Sequence, residues 1–294
     1  MTDTNTTPWT TRTLLSWMAE RFEEHQIDSP RLISEMLLTH VLGGQRIDLY
    51  ANADRLATEQ ERETLRTLVK RALSHEPVQY IVEKGWFNGL EFNVNSSTLI
   101  PRTCTERIVE QCIEFCQNNS NNAPIRIADI GTGTGCIAIS IAKNTNECEI
   151  TATDISQEAI QLAEKNANAH KVDSSIEFLC GDGLAPLSVL PPFQIICSNP
   201  PYIPDSEMVN LDANVREWEP KLALEGGKTG VQVIKPLIEQ APNYLSNGGM
   251  LLIEIASSIR EQVLEIAQKT QGLHDATILK DSFGDDRFLR TRKP

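Results

Sequence analysis

This 294-residue chain is poorly equipped for metal or disulfide chemistry. Its seven cysteines are an odd number, and no two form a Cys-x-x-Cys pair. Cys112 and Cys116 share a helical spacing, but no histidine stands near them, and the five histidines are scattered. No metal is expected, and the cysteines read as buried, reduced thiols of a cytoplasmic protein. Long apolar runs are also missing, so no segment spans a bilayer and no membrane partner is expected. The opening residues 1–8 are polar and lack the apolar core of a secretory signal. Positive charge is scarce, with 27 Lys and Arg against 40 Asp and Glu and a net charge of -13. A nucleic-acid binder carries a basic face to neutralise phosphates. Stable nucleic-acid binding is therefore not expected, and a protein or small-molecule substrate is favoured.

What is present is an ordinary soluble composition, 40% hydrophobic and 23% charged. The length suits one large domain plus a small one. The first part reads as helical. Thr10 or Thr11 can cap a run through Leu14, Leu15, Met18 and Phe22. Ser29-Pro30 opens a second run that stops at Gly43-Gly44, and Thr58 opens a third that ends before Pro77. Tyr80-Ile81-Val82 and the stretch 86–92 follow, and Asn88-Gly89 between apolar positions signals a β-hairpin. From Arg107 onward strand and helix alternate, with strands expected at 125–130, 150–154, 176–180, 193–197, 250–255, 276–280 and 288–292. The polar run 118–122 reads as a loop. The expected fold is α/β: a doubly wound, seven-stranded, mostly parallel Rossmann-like sheet ending in a hairpin. The expected domains are a helical substrate-docking domain (1–78), a hairpin linker (79–98) and a sheet domain (99–294).

Asn199-Pro200-Pro201-Tyr202 is the most informative tetrapeptide. It follows the apolar run Phe193-Gln194-Ile195-Ile196-Cys197, which reads as a buried parallel strand. Two prolines force the chain out of the sheet and leave carbonyls without ladder partners. Ligands of open α/β sheets bind just beyond such strand ends. The Asn199 side-chain oxygen and the Pro200 carbonyl can each accept one N–H of a planar NH2 group. That would hold a weakly nucleophilic nitrogen with its lone pair aimed at an electrophile, while Tyr202 stacks on the flat face. Asn199, Pro200 and Tyr202 are the candidate catalytic residues, and Pro201 joins them in substrate binding.

The loop Gly131-Thr132-Gly133-Thr134-Gly135 follows the first strand of the alternating region. Its glycines permit close backbone approach and expose a helix N-terminus. Asp129 just before it repels a pyrophosphate and attracts an ammonium group. Asp154 at the second strand end can accept ribose hydroxyls. Asp182 at the third, in Gly181-Asp182-Gly183, can read an exocyclic amine while Gly183 leaves room for adenine. Each acid alone could be a helix cap, but three at consecutive strand ends imply S-adenosylmethionine. Asn199, at the fourth strand end, borders the same pocket.

These features resemble the class I methyltransferases, and more closely the HemK/PrmC family of peptide-chain release-factor glutamine N5-methyltransferases. The resemblance runs through Glu76-Pro77-Val78-Gln79-Tyr80-Ile81, Leu99-Ile100-Pro101-Arg102, the segment 129–135, Asp154 and Asn199 to Tyr202. It ends with Glu219-Pro220, Ala223-Leu224-Glu225-Gly226-Gly227 and Gly230. It implies methyl transfer to the glutamine side chain of the Gly-Gly-Gln motif in class 1 release factors, docked through the N-terminal helices. It also implies that Arg102, Thr105 and Glu106 belong to a block covering the cofactor. Three positions depart from the family pattern: Thr103-Cys104 replace a proline and an acidic residue, Glu83 lies near a usual glycine, and Thr229 replaces an aspartate.

Two other readings use the same residues, and a third rests on a separate tripeptide. A nucleic-acid amino methyltransferase would place a flipped adenine or guanine on Tyr202, with Arg287, Arg290, Arg292 and Lys293 as its nearest basic cluster, although a solvated final strand accounts for them better. A dinucleotide oxidoreductase or a non-catalytic cofactor-binding module is permitted by fold alone, and Asp129 and the Asn-Pro-Pro-Tyr motif speak against it. Gly43-Gly44-Gln45 matches the substrate tripeptide, but reads first as a glycine helix stop, with self-methylation as a minor reading.

Overall fold

A computed structural model describes residues 8–119, 124–145 and 148–294. The chain forms two compact units, one of residues 1–83 with 213–218, the other of 84–212 with 219–294. The expected polar start and much of the expected 118–122 loop lie outside the described residues.

The first unit is helical: α1 (Thr11–Glu24), α2 (Pro30–Leu42), α3 (Arg46–Ala51), α4 (Glu59–Leu73) and α5 (Val78–Val82). Thr10 and Thr58 cap α1 and α4 through their hydroxyls, as their positions predict. Ser29 precedes Pro30 but makes no side-chain cap bond. Leu14, Met18, Phe22, Leu37, Leu38 and Leu65 form the core of this unit. Tyr80-Ile81-Val82 lie in α5, ahead of the hairpin, because Pro77 starts a helical turn there. Glu83 ends that turn with φ +56°, a left-handed conformation that favours glycine. The departure from the family's usual glycine therefore falls on a strained position.

The second unit opens with the hairpin β1 (Lys84–Phe87) and β2 (Leu90–Asn93), joined by Asn88-Gly89 with positive φ at both residues. Then follow α6 (Glu106–Asn118), β3 (Ile125–Ile130), α7 (Cys136–Asn144), β4 (Cys148–Asp154), α8 (Gln157–His170), β5 (Ile176–Cys180) and β6 (Phe193–Ser198). After the short α9 (Ala213–Arg216), which belongs to the helical unit, come α10 (Ile234–Tyr244), β7 (Leu245–Glu254), α11 (Arg260–Lys269), β8 (His274–Lys280) and β9 (Asp286–Arg292).

The sheet order is β5-β4-β3-β6-β7-β9-β8, and only β9 runs against the rest. Side-chain alternation builds a core on each face. Ile127, Ile195 and Leu252 join one core, Ile130, Ile196 and Leu251 the other. This is the doubly wound seven-stranded sheet expected from the alternation. The chain winds outward from β3 to β5, then returns to β6 on the other side of β3. The crevice between the carboxyl ends of β3 and β6 is thus the switch point where such sheets bind ligands. Ser198 spans it, donating its hydroxyl to the Ile130 carbonyl at 2.6 Å.

The final strand is not a solvated edge, since β9 lies between β7 and β8. The cations of β9, and Lys293 just after it, are committed within the chain. Arg290 reaches Gln111, Arg292 lies over the Phe115 ring, Arg287 faces Asp281, and Lys293 donates to the Pro242 and Leu245 carbonyls. Among the described residues no helix is long and apolar enough to cross a membrane.

Candidate active site

A cavity of about 780 Å³ opens at the switch point. Gly131 to Thr134, Asp154, Asp182, Gly183 and Asn199-Pro200-Pro201 all line it, whereas Gly135 lies off the wall, packed against Ile139 and Ala163. The loop is held from below: Gly131 and Thr132 donate their N–H groups to the Thr153 carbonyl, each at 2.8 Å. Gly133 donates to Asp154 Oδ2 at 2.9 Å, and Ser156 to Oδ1 at 2.9 Å. Both Asp154 oxygens keep lone pairs for a ligand. Burial raises its pKa, against the backbone N–H groups of Ser156, Gly133 and Ile155. Gly133 has φ +55° and nothing within 4 Å of where a Cβ would stand, so its backbone lies open to the cavity. Asn166, fully buried on α8, donates to the Thr134 and Asn93 carbonyls and accepts the Asn93 N–H, tying loop to hairpin.

Asp182 stands exposed on the wall. Ile155, Leu222 and Val233 also reach the cavity, each with more than a third of its surface exposed. Sequence reasoning missed these three; an apolar residue directly after the strand-end aspartate was the available signal for Ile155.

Asp129 is placed differently. It is completely buried and lies off the wall, with Oδ2 accepting the Thr132 hydroxyl at 2.7 Å and Oδ1 without a hydrogen-bond partner among the described residues. Burial pushes its pKa up to about 7, against the Thr132 hydrogen bond. Its immediate work is to brace the loop.

The Asn199 side chain is oriented by its own NH2 group, which donates to Thr105 Oγ1 at 3.1 Å. That leaves Oδ1 as an acceptor. Among the described residues, no hydrogen bond within the chain ends on the Pro200 carbonyl. Tyr202 does not line the cavity; its ring packs into the second core and its hydroxyl donates to Glu254 Oε1 at 3.1 Å. Its backbone is gripped by the segment after Glu219. Ile203 donates to the Leu224 carbonyl and Gly226 to the Ile203 carbonyl. A Cβ on Gly226 would stand 2.7 Å from the Tyr202 carbonyl carbon, so only glycine permits the approach.

The 97–105 segment supplies the facing wall. Buried Glu219 pairs with Arg102 and accepts the Ile100 N–H at 3.2 Å. Thr105 is on the wall, whereas Glu106 accepts the Asn88 N–H at 2.7 Å and steadies the hairpin turn.

The sheet order and this cavity define a class I methyltransferase fold. A methyltransferase from Pyrococcus furiosus shares it at a TM-score of 0.50 and 19% identity, over 79% of this chain and 98% of that one. The catalytic domain of human Mettl16 shares it at 0.53 and 14%, over 82% and 84%. Residues 13–82 match the family model of the PrmC N-terminal domain, and 113–215 that of the methyltransferase small domain. Relatives named release factor glutamine methyltransferase align over nearly the whole chain. Those from Rhodopirellula baltica and Chlorobaculum tepidum are 36% and 40% identical, covering 98% and 96% of both partners. The relative from Geobacter sulfurreducens is 36% identical over 97% of each. The chain belongs to the PrmC family of methyltransferases.

Proposed function

We propose that this protein transfers a methyl group from S-adenosylmethionine to the side-chain amide nitrogen of the glutamine in the Gly-Gly-Gln motif of class 1 peptide-chain release factors. The observation that carries the reading is the fixed Asn199 amide. With its NH2 tied to Thr105, its oxygen and the neighbouring Pro200 carbonyl are two acceptors on one cavity wall.

The cavity residues fit that cofactor. Gly133 leaves backbone open where a side chain would intrude, Asp154 retains lone pairs for hydroxyls, and Ile155, Leu222 and Val233 give a flat ring apolar surface. Asp182 is free to accept from an exocyclic amine. The volume lies within the range of small-molecule sites. When bound, the cofactor supplies an electrophilic methyl on a sulfonium.

The chain's own residues would do the rest by position. Asn199 Oδ1 and the Pro200 carbonyl take the two protons of the glutamine NH2, turning the nitrogen lone pair away from them and into the cavity. Prepositioned dipoles of this kind act without a strong base. The tight bracing of the motif by Ser198, Gly226 and Thr105 keeps both acceptors in place. The surplus proton leaves after transfer, to water or a nearby acceptor. Residues 1–78 are inferred to dock the release factor and 79–98 to act as the linker. Exposed Ile47, Tyr50 and Leu56 support a contact role for the helices. The commitment of the β9 cations within the chain argues against a nucleic-acid substrate.

The test is transfer of label from radiolabelled S-adenosylmethionine to a purified class 1 release factor, beside its Gln→Ala variant in Gly-Gly-Gln. Label on the wild-type factor alone is expected. Label on both, or on neither while cofactor binds, would contradict the reading.

A further inference from the structure

Strand β7 ends in Glu254, a completely buried carboxylate outside the cavity wall. Burying such a group is costly unless it is paired or hydrogen-bonded. In the parallel register of β6 and β7, Ser198 stands opposite Ile253, which brings Glu254 level with Asn199. Tyr202 donates its hydroxyl to Glu254 Oε1 at 3.1 Å, and the Cys104 thiol lies 3.8 Å from the same oxygen. Oε2 is buried without a hydrogen-bond partner among the described residues. Thr105, the next residue after Cys104, is the one that accepts from Asn199.

A hydroxyl has one proton to give. If Thr105 Oγ1 accepts from the Asn199 NH2, its own proton must point elsewhere. An ionised carboxylate only accepts. Glu254 is the one at hand: a hydrogen bond from the Thr105 hydroxyl lowers its pKa, and it meets the preceding Cys104 at 3.8 Å. We propose that Glu254, ionised, is the positioning residue that sets the polarity of the acceptor site: it draws the Thr105 proton, Thr105 then accepts from Asn199, and Asn199 Oδ1 is left facing the substrate amide. The proposal rests on the reading of Asn199 given above. The same carboxylate holds Tyr202, three residues further along the motif, so one group aligns both ends of it.

Protonation of Glu254 would turn its acceptor into a donor. The Thr105 proton could then swing to Asn199, whose NH2 would face the substrate NH2, two donors opposed. The charged and titratable groups facing Glu254 are Cys104, Tyr202 and Arg287, with Asp281 behind Arg287. Burial raises the pKa of Glu254, opposed by the Thr105 and Tyr202 hydroxyls and by Arg287. Burial likewise raises the Cys104 and Tyr202 values further above neutrality. Asp129 and Asp154, whose pKa values burial also raises, titrate on the acidic side too, so the part of an acidic fall in turnover that belongs to Glu254 is the part Glu254→Gln removes.

Glu254→Gln keeps the shape and removes the charge. It should lower kcat about 10- to 100-fold, as small misplacements of a positioned group do, with the release-factor KM and cofactor affinity within about twofold. The acidic limb of the kcat profile should change shape with it, losing the Glu254 contribution. Thr105→Val should lose turnover and Thr105→Ser should recover it. Wild-type kcat with an unchanged acidic limb in Glu254→Gln, or full turnover in Thr105→Val, would overturn the proposal. A readout independent of any substrate is NMR of the free protein. The Asn199 side-chain amide signals should move with the titration of the Glu254 carboxyl, and stay still in Glu254→Gln. Asn199 signals indifferent to that titration would sink the proposal while leaving release-factor methylation standing. Coupled titration in a protein that methylates no release factor would preserve the network and remove the function assigned to it.

Discussion

Glu35 in the helical unit and Glu254 in the sheet unit are both buried glutamates, yet their surroundings push them in opposite directions. Glu35 sits among Arg31, Arg46 and Tyr50, with Arg31 Nε at 3.1 Å and Arg46 Nε at 2.9 Å. Burial alone would raise its pKa, but hydrogen bonds from Tyr50, Arg46 and Arg31 outweigh it and hold the value below the ordinary one. Glu254 has hydroxyls and a thiol around it and a guanidinium only at longer range, so burial wins and its pKa rises. A glutamate clamped by arginines is a structural fastener. One kept by neutral donors beside a strand-end motif can respond to its neighbours, which is the property a positioning group needs.

The sharpest way to break this contrast is at the motif that Glu254 supports. Asn199→Ala should cut methyl-transfer turnover about 100- to 1,000-fold, as loss of one oriented polar group does elsewhere. Cofactor affinity, measured by calorimetry, should change little. Near-normal turnover would remove the orientation argument. Asp154→Ala comes next. It deletes a ligand acceptor and frees the Gly133 N–H, and should weaken cofactor binding about 10- to 100-fold on the scale of one or two charged hydrogen bonds. Unchanged affinity would dissociate Asp154 from the cofactor.

Stability should separate the two glutamates by sign. Glu35→Gln should destabilise the protein by about 1–3 kcal/mol through weakened charged hydrogen bonds, with turnover of the folded protein unchanged. The folded pKa of Glu35 is lowered, so its stabilisation is present above the ordinary value of 4.5 and fades as pH falls through the folded value. The folded pKa of Glu254 is raised, so its contribution is present below 4.5 and fades as pH rises through the folded value. Thermal unfolding across the acidic range, for wild type and each Gln variant, should show opposite changes of slope; slopes of the same sign would void the comparison. The smallest effect belongs to the chain's departure at Glu83. Replacing this left-handed residue by glycine should stabilise the helical unit by about 0.5–1 kcal/mol, read as a modest rise in Tm. A fall would show that the Glu83 side chain contributes more than its strain costs.

Much of this architecture is legible in the amino-acid sequence. The alternating apolar runs locate all seven sheet strands, because a buried parallel strand must be apolar and must stop at a polar turn. Gly131 to Thr134, Asp154, Asp182 and Asn199-Pro200-Pro201 meet at one cavity because the connection β5-to-β6 reverses direction beside β3. What the sequence leaves hidden is set by neighbours distant along the chain. Periodicity says which way a side chain faces but not what it meets, so Asp129 has the pattern of a ligand group and lies sealed under Thr132. Tyr202 has the pattern of a stacking platform, yet its hydroxyl is drawn to a strand end 52 residues away. Glu254 closes an apolar strand and carries no signal of its own, since nothing in Leu251-Leu252-Ile253-Glu254 foretells the register that sets it beside Asn199. The short α3 and α5 escape because single turns carry too few residues to show a period.

The central claim is that the fixed Asn199 oxygen and the Pro200 carbonyl select a primary amide for methylation. The most direct measurement is fragment mass spectrometry of a class 1 release factor after incubation with the protein and S-adenosylmethionine. The account predicts a single methyl on the side-chain nitrogen of the Gly-Gly-Gln glutamine. A methyl on any other residue, or an unmodified release factor alongside a cofactor-bound enzyme, would contradict it.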